Sequence, residues 1–151
     1  MKIRLFVFIF FPTLLLSQNW TSSSNFIGDG RHHPITFSND NFGFVVSGSY
    51  LNDMFKYDKV NDSWTQLQDF PGSGRGYSYA VSVGDKAYLG FGSTDNGSFP
   101  VDWWEYDMIN NSWNQLSSFI GNGRNHPAMI VVNNKIYVGC GSNDNGNLGD
   151  W

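Results

Sequence analysis

Lys86-Ala87-Tyr88-Leu89-Gly90-Phe91-Gly92-Ser93, then Trp103-Trp104-Glu105-Tyr106-Asp107, then Asn111-Ser112-Trp113-Asn114-Gln115-Leu116 form the passage that decides how this chain folds. Its first part is an apolar, β-rich run that ends on glycine, and its last two parts are short strand-like runs separated by a turn-forming stretch. The same three parts recur on either side. Upstream stand Val46-Ser47-Gly48-Ser49, Tyr57-Asp58 and Asp62-Ser63-Trp64-Thr65-Gln66-Leu67; downstream stand Ile136-Tyr137-Val138-Gly139-Cys140-Gly141-Ser142 and Asp150-Trp151. Trp20, Trp64 and Trp113 are spaced by 44 and 49 residues, and Arg31, Arg75 and Arg124 by the same 44 and 49. A period near fifty built from strand-like segments marks an array of stacked sheets, each of which buries its faces only against its neighbours.

Each unit reads as four short strands. Tyr77 to Val83 is apolar and β-rich, Gly84-Asp85 is a two-residue turn, and Lys86 to Phe91 returns antiparallel. The third unit repeats this hairpin as His126 to Val132, Asn133-Asn134 and Lys135 to Cys140, with asparagines that tolerate the positive φ of a type I′ turn. A Gly/Asn/Asp-rich loop follows, then a third strand ending at Asp107, a turn at Ile109-Asn110-Asn111 and a fourth strand from Ser112 to Leu116. The first strands carry apolar residues on both faces, as expected of a sheet covered on both sides. The fold expected is all-β, with four-stranded antiparallel blades of a β-propeller. A closed ring takes about 4 to 8 blades, so the array expected here is incomplete.

These residues resemble the kelch-repeat β-propellers, over nearly all of Trp20 to Trp151. The resemblance is carried by the second strand ending in glycine at Gly48, Gly92 and Gly141, and by a Tyr-Asp whose Tyr precedes a Trp by seven residues, as in Tyr57 to Trp64 and Tyr106 to Trp113. Kelch units usually have adjacent glycines, whereas this chain has Gly-x-Gly or Ser-Gly, a variant similar to the kelch arrays of exported bacterial proteins. The division it implies is an outer strand and linker over residues 19–30, a first blade over 31–74, a second over 75–123 and a shortened third over 124–151. Asn19-Trp20-Thr21 aligns with the fourth-strand segments around Trp64 and Trp113, and Asp150-Trp151 with Asp102-Trp103, so the chain is expected to be the front part of a longer propeller.

Composition narrows the function. Charged residues are 15% of the chain with no run of either sign, against a nucleic-acid groove. Aromatics are 17% and glycines number 17, the pairing expected of flat strands packed through large side chains and joined by tight turns. Residues 1–18 combine Lys2 and Arg4 with an apolar run from Leu5 to Leu16, and read as a secretory signal peptide. That run is shorter than the roughly 20 residues of a spanning helix. Cleavage near Ser17 or Gln18 leaves seven basic against thirteen acidic side chains, a net charge of −6, and an acidic product that is secreted or at the cell surface, with no membrane span. Cys140 is the single cysteine, so no intramolecular disulfide forms. Matching Phe91 and Ser47, it is expected to be a small core residue within a buried strand.

Trp20, Trp64 and Trp113 recur at one repeat position, the behaviour of residues that wedge between sheets, and are expected to matter more to stability than the repeated arginines. Gly48, Gly92, Gly141, Tyr57 and Tyr106 complete the structural set. Arg31, Arg75 and Arg124 each follow a glycine, with His33, Tyr77 and His126 two residues later. The kelch resemblance implies that this end of each blade opens near a central channel, making these six candidate donors to a ligand. The alternative is that the arginines tie loops to backbone carbonyls. Asp95, Asn96, Asp144 and Asn145 lie in loops of varying length between second and third strands and are candidate partner contacts, with Asx turns as the plainer account. His32, His33 and His126 show no metal-ligand spacing, and no nucleophile–base pair stands out, so no metal, cofactor or catalytic residue is assigned. The expected function is a non-catalytic binding or scaffold module of an exported propeller, contacting protein or carbohydrate through blade-end loops and packing against further blades of its own chain. The alternatives are an extracellular carbohydrate oxidase or sugar isomerase with its catalytic residues elsewhere, and a cell-surface adhesion repeat.

Overall fold

The computed structural model describes residues 20–151, so the leader reading of residues 1–18 and the placement of Asn19 lie outside the described residues. The described chain is all-β. Strands β1 (Ile35–Ser38), β2 (Phe42–Val46), β3 (Met54–Asp58) and β4 (Ser63–Gln66) form one antiparallel sheet in chain order. Strands β5 (Tyr79–Val83), β6 (Lys86–Gly90), β7 (Trp103–Asp107) and β8 (Ser112–Leu116) form a second of the same topology. A hairpin of β9 (Ala128–Val132) and β10 (Lys135–Gly139) follows, then a small ribbon of β11 (Ser142–Asn143) and β12 (Gly146–Asn147). β1 lies beside β5 and β5 beside β9, so the first strands of successive units are neighbours. Among the described residues no sheet closes on itself.

Turn chemistry sets the register. Pairing of Val132 with Lys135 leaves Asn133 and Asn134 as the two turn residues, at φ 51° and 59°, the left-handed pair of a type I′ hairpin. Gly84 takes φ 58° in the equivalent turn. The third and fourth strands are joined by four-residue turns, and here the Tyr-Asp motif explains itself. The Asp58 carboxylate accepts the Val60 and Asn61 amides (2.8 and 3.2 Å) and Asp107 accepts those of Ile109 and Asn110 (3.0 and 2.9 Å). Tyr57 then stands opposite Trp64 and Tyr106 opposite Trp113, with ring centroids 5.0 and 4.6 Å apart. The seven-residue interval from Tyr to Trp is the length of that turn plus its flanking pairs.

The core lies between the two four-stranded sheets. Ile35, Phe37, Phe44, Val46 and Met54 meet Ala87, Leu89, Trp104, Tyr106 and Met108, with Phe70 between them. Phe37 stacks on Phe44 at 5.1 Å, and both rings reach Tyr106 across the interface at 5.7 and 5.6 Å. Each fully buried apolar side chain of this set contributes about 1.5–3 kcal/mol. The expectation of first strands covered on both faces is not met. β1 alternates strictly, with Thr36 and Ser38 exposed opposite buried Ile35 and Phe37, and Ile130, Val131 and Val132 of β9 are exposed, because no sheet covers those faces among the described residues.

The repeated tryptophans also divide. Trp64 packs edge-on against Phe26 at 5.0 Å and Trp113 against Phe70 at 4.9 Å, both half-buried. Trp20 is fully exposed and packs on nothing, since the fourth-strand position it matches in sequence has no sheet around it here.

Candidate functional site

Arg31, Arg75 and Arg124 occupy one environment three times over. Each guanidinium forms a two-point pair with a carboxylate at one repeat position: Arg31 with Asp53 (2.5 and 2.8 Å) and Arg75 with Asp102 (2.8 Å twice), both just before a third strand, and Arg124 with Asp150 (2.7 Å twice). Each also donates to the carbonyl just past the second strand, Ser47, Phe91 or Cys140, at 3.0, 3.3 and 2.9 Å. Nε of each reaches the carbonyl two residues earlier. A phenyl ring from the connecting segment lies over each charge, Phe26, Phe70 or Phe119, at 5.0, 5.0 and 5.4 Å. Arg75 and Arg124 are wholly buried. The reading of these arginines as donors to a ligand is therefore corrected. Their charge is neutralised and their donors are engaged inside the fold, tying the entry of each first strand to the aspartate that follows the second strand of the same unit.

The residues past the second strand make the matching half of this joint. Ser47, Phe91 and Cys140 have φ 59°, 65° and 54°, and the glycines after them φ 85°, 81° and 91°. This double left-handed step carries the Gly48 amide to the Arg75 carbonyl (2.9 Å) and the Gly92 amide to the Arg124 carbonyl (2.8 Å), fastening each unit to the next. A Cβ at Gly92 would strike the Gly76 carbonyl and one at Gly48 the Pro34 backbone, so only glycine fits. Cys140 is thus not a strand residue. It lies beyond the end of β10 and is half-exposed. The Gly-x-Gly variant has its own cause: Gly90 and Gly139 lie under the rings of Trp103 and Trp151, where a Cβ would collide, while Val46 fits because Met54 stands where those tryptophans stand.

Two residues after each arginine the chain again takes a left-handed step, at His33 (φ 51°), Tyr77 (φ 59°) and His126 (φ 51°). These three side chains, from three different units, converge. His33 lies 4.1 Å from Tyr77, Tyr77 5.2 Å from His126, and His33 5.7 Å from His126, ring centroid to ring centroid. The His126 amide donates to the Tyr77 carbonyl at 2.9 Å. Around them gather His32, whose Nδ1 is 2.9 Å from His33 Nδ1, Tyr50 at 6.5 Å from His32, and Tyr79, whose hydroxyl is 3.1 Å from His126 Nδ1. The rings of His32, His33, Tyr50, Tyr79 and His126 are exposed and Tyr77 is half-buried between them. The chemistry on offer is a surface of flat π faces fringed by hydroxyl groups and imidazole nitrogens, able to stack on a ring and to donate or accept hydrogen bonds.

Sequence reading brought His33, Tyr77 and His126 into one set by repeat position; the packing of β1, β5 and β9 side by side makes them neighbours in space. It did not include Tyr50 or Tyr79, which have no counterpart at the same position in other units. Among the described residues no group of three or more His, Cys, Asp or Glu side chains is arranged to hold a metal ion. The loop candidates lie elsewhere. Asp95 and Asn96 are exposed in a turn closed by the Gly97 amide on the Thr94 carbonyl (3.0 Å), and the Asn96 side-chain oxygen accepts the Ser98 amide (3.0 Å). Asp144 and Asn145 are exposed at the tip of the β11–β12 ribbon, where Asn143 accepts the Asn145 amide (2.9 Å). Both loops are Asx-type turns.

No family model matches the sequence, and no curated protein matches it. Among solved structures the chain is similar to one titled "Structure of YjhT", with 26% sequence identity and a TM-score of 0.66. The match covers 76% of this chain and 35% of that one, so this chain corresponds to about a third of that protein's length.

Proposed function

We propose that this chain supplies consecutive blades of a kelch-type β-propeller and serves as a non-catalytic binding module, engaging a carbohydrate or protein partner at the ends of its first strands. The observation that carries the binding reading is the convergence of His33, Tyr77 and His126, one residue from each unit, on a single exposed surface. Repetition alone explains a packing residue. It does not explain why three bulky side chains stay in the left-handed region at about 1–2 kcal/mol each with the His33 and His126 rings turned to water and Tyr77 half-buried between them. Ring faces bordered by hydroxyls and imidazoles suit a sugar, whose C–H face stacks and whose hydroxyls both donate and accept.

The propeller part of the reading rests on two further features. Successive units repeat the same arginine joint and the same carbonyl-to-glycine fastening. Gly74 and Gly123, each just before the arginine of the next unit, press on the Tyr50 and Phe99 carbonyls of the loops that follow the second strands, whereas Gly30, at the same repeat position, meets nothing among the described residues; the loop of a preceding unit would fill that place. We place the protein outside the cytoplasm on the basic start and apolar run of residues 1–18, and N-terminal sequencing of secreted material would begin near Gln18 or Asn19.

The binding reading is tested by titrating neutral oligosaccharides of varied composition into the protein and into Tyr77→Ala and His126→Ala variants, following tyrosine and imidazole NMR resonances. Saturable shifts confined to the cluster, lost in both variants while melting is unchanged, are expected. Shifts that persist in the variants or map to the β11–β12 loop would move the site elsewhere.

A further inference from the structure

The first unit departs from the other two in one loop. Arg31 to Gly48, Arg75 to Gly92 and Arg124 to Gly141 are equal intervals, and Asp53 stands as far from Arg75 as Asp102 from Arg124. The whole difference between the 44- and 49-residue spacings therefore lies between glycine and aspartate, five residues from Gly48 to Asp53 against ten from Gly92 to Asp102. The short loop closes by turning at once. Ser47, Gly48, Ser49 and Tyr50 are all left-handed, at φ 59°, 85°, 46° and 62°, and the Leu51 amide donates back to the Gly48 carbonyl at 2.9 Å. In the longer loops the left-handed run stops at the glycine, and Ser93 and Ser142 bridge backbone to backbone with Gly76 and Asn125. Ser49 is latched to His32 instead, its amide donating to the His32 carbonyl (3.0 Å) and its Oγ accepting the His32 amide (3.1 Å).

A left-handed backbone is costly for residues that carry a Cβ, and what this one holds up is the exposed ring of Tyr50. The Tyr50 carbonyl is close against Gly74, and its ring lies beside Gly76 and edge-on to His32 at 6.5 Å. His32 is 6.2 Å from Tyr77, Tyr77 5.2 Å from His126, and His126 6.1 Å from Tyr79. The rings thus run on from one another, with Tyr50 joining through His32 and Tyr79 through His126. After Gly92 and Gly141 the corresponding residues are Ser93-Thr94 and Ser142-Asn143, which offer no ring, so the Tyr50 end is set by the first unit alone.

We propose that Tyr50 and His32 form an outer subsite of the imidazole–tyrosine surface, and that its ligand is a linear neutral oligosaccharide of several residues, not a single sugar. This rests on the reading of that surface as a binding site. One pyranose covers one ring face, whereas rings that follow one another at 5.2–6.5 Å give stacking places to successive residues of a chain. The tyrosine hydroxyls and imidazole nitrogens beside them both donate and accept, as sugar hydroxyls require. Because Ser49 and the turn at Leu51 fix the loop beforehand, Tyr50 is ordered without a ligand and the added contact is not spent on ordering it.

The test follows chain length. Glucose, cellobiose, cellotriose and cellotetraose, and the matching β-1,4-linked mannose series, are titrated into the parent, Tyr50→Ala and Tyr50→Phe, with ring resonances followed by NMR. In the parent, binding should tighten about tenfold between one and three residues, with shifts at Tyr50 and His32 only for the longer sugars. Tyr50→Ala should bind the trisaccharide no better than the single sugar while its affinity for the single sugar is unchanged, and Tyr50→Phe, which keeps the ring, should keep the gain. Affinity independent of length in the parent overturns this inference alone and leaves the binding reading standing, as does a gain that survives in Tyr50→Ala. A gain lost equally in Tyr50→Phe would assign it to the hydroxyl and overturn the stacking. No saturable shift with either series up to on the order of 10 mM would overturn the binding reading and this inference with it.

Discussion

Arg75 gives up all contact with water on folding and recovers it as a two-point pair with Asp102, two carbonyl contacts and the face of Phe70. A buried cation of this kind is costly to strand, and so is its carboxylate, since neither can be resolvated without opening the joint. Arg75→Ala is therefore expected to lower stability by about 3–5 kcal/mol, and Arg75→Lys to recover only part of that because an ammonium cannot reproduce the fork. Urea unfolding checks this, and a loss under about 1 kcal/mol for the alanine variant would show the pair to be incidental. This reverses the ranking expected from sequence: Trp113, half-exposed, should cost less than Arg75 when cut to alanine. The same pair sets an acid limit. Burial pushes the Asp102 carboxyl up, but the hydrogen bond and charge of Arg75 outweigh it and hold the group below its ordinary value. Its folded pKa being the lower one, the stabilisation is complete above the unfolded value of about 3.9 and fades as pH falls through the folded value. The stability gap between the parent and Asp102→Asn should accordingly narrow on acidification below about pH 4; a gap that stays constant or widens would contradict the assignment.

At the scale of elements, the turns were the most legible part of the chain. Asn133-Asn134 announced a type I′ hairpin and takes that geometry, so Asn134→Gly should be nearly neutral, whereas Asn134→Ala should cost about 1 kcal/mol for the left-handed backbone. Equal melting temperatures for the two variants would count against it. The Tyr-Asp motif was readable as a repeat, and its physical meaning, an aspartate that caps the turn and a tyrosine set opposite a tryptophan, needed the register. Strand starts and the Cys140 position were misjudged for one reason: His33, Tyr77 and His126 before the first strands, and Ser47, Phe91 and Cys140 after the second, carry side chains that do not advertise a left-handed backbone. The arginine partners were half hidden as well. Asp102-Trp103 and Asp150-Trp151 align by eye, but Asp53 is followed by Met54 and shows itself only through contact with Arg31. The connecting segment before β1 has a latch of its own. The Asp62 carboxylate accepts Ser23, Ser24 and Tyr57, which holds it far below the ordinary carboxylate range. Asp62→Ala should speed amide exchange at Ser24 without altering exchange in β5–β8. Unchanged exchange at Ser24 would mean that the Phe26–Trp64 contact alone holds the segment.

The whole molecule turns on how its sheets meet. Sequence periodicity implied that units stack, yet it carried no information on which side chains from separate units would touch, because that depends on the packing of β1, β5 and β9 side by side. From that packing come both the dry core between the first two sheets and the cluster at the strand ends. The central claim is that His33, Tyr77 and His126, 44 and 49 residues apart along the chain, share one surface. It is tested most directly by nuclear Overhauser contacts between their ring protons in solution. Cross-peaks linking His33 to Tyr77 and Tyr77 to His126 are predicted from ring centroids 4.1 and 5.2 Å apart. A spectrum with strong cross-strand contacts within each sheet but none among these three rings would contradict the account.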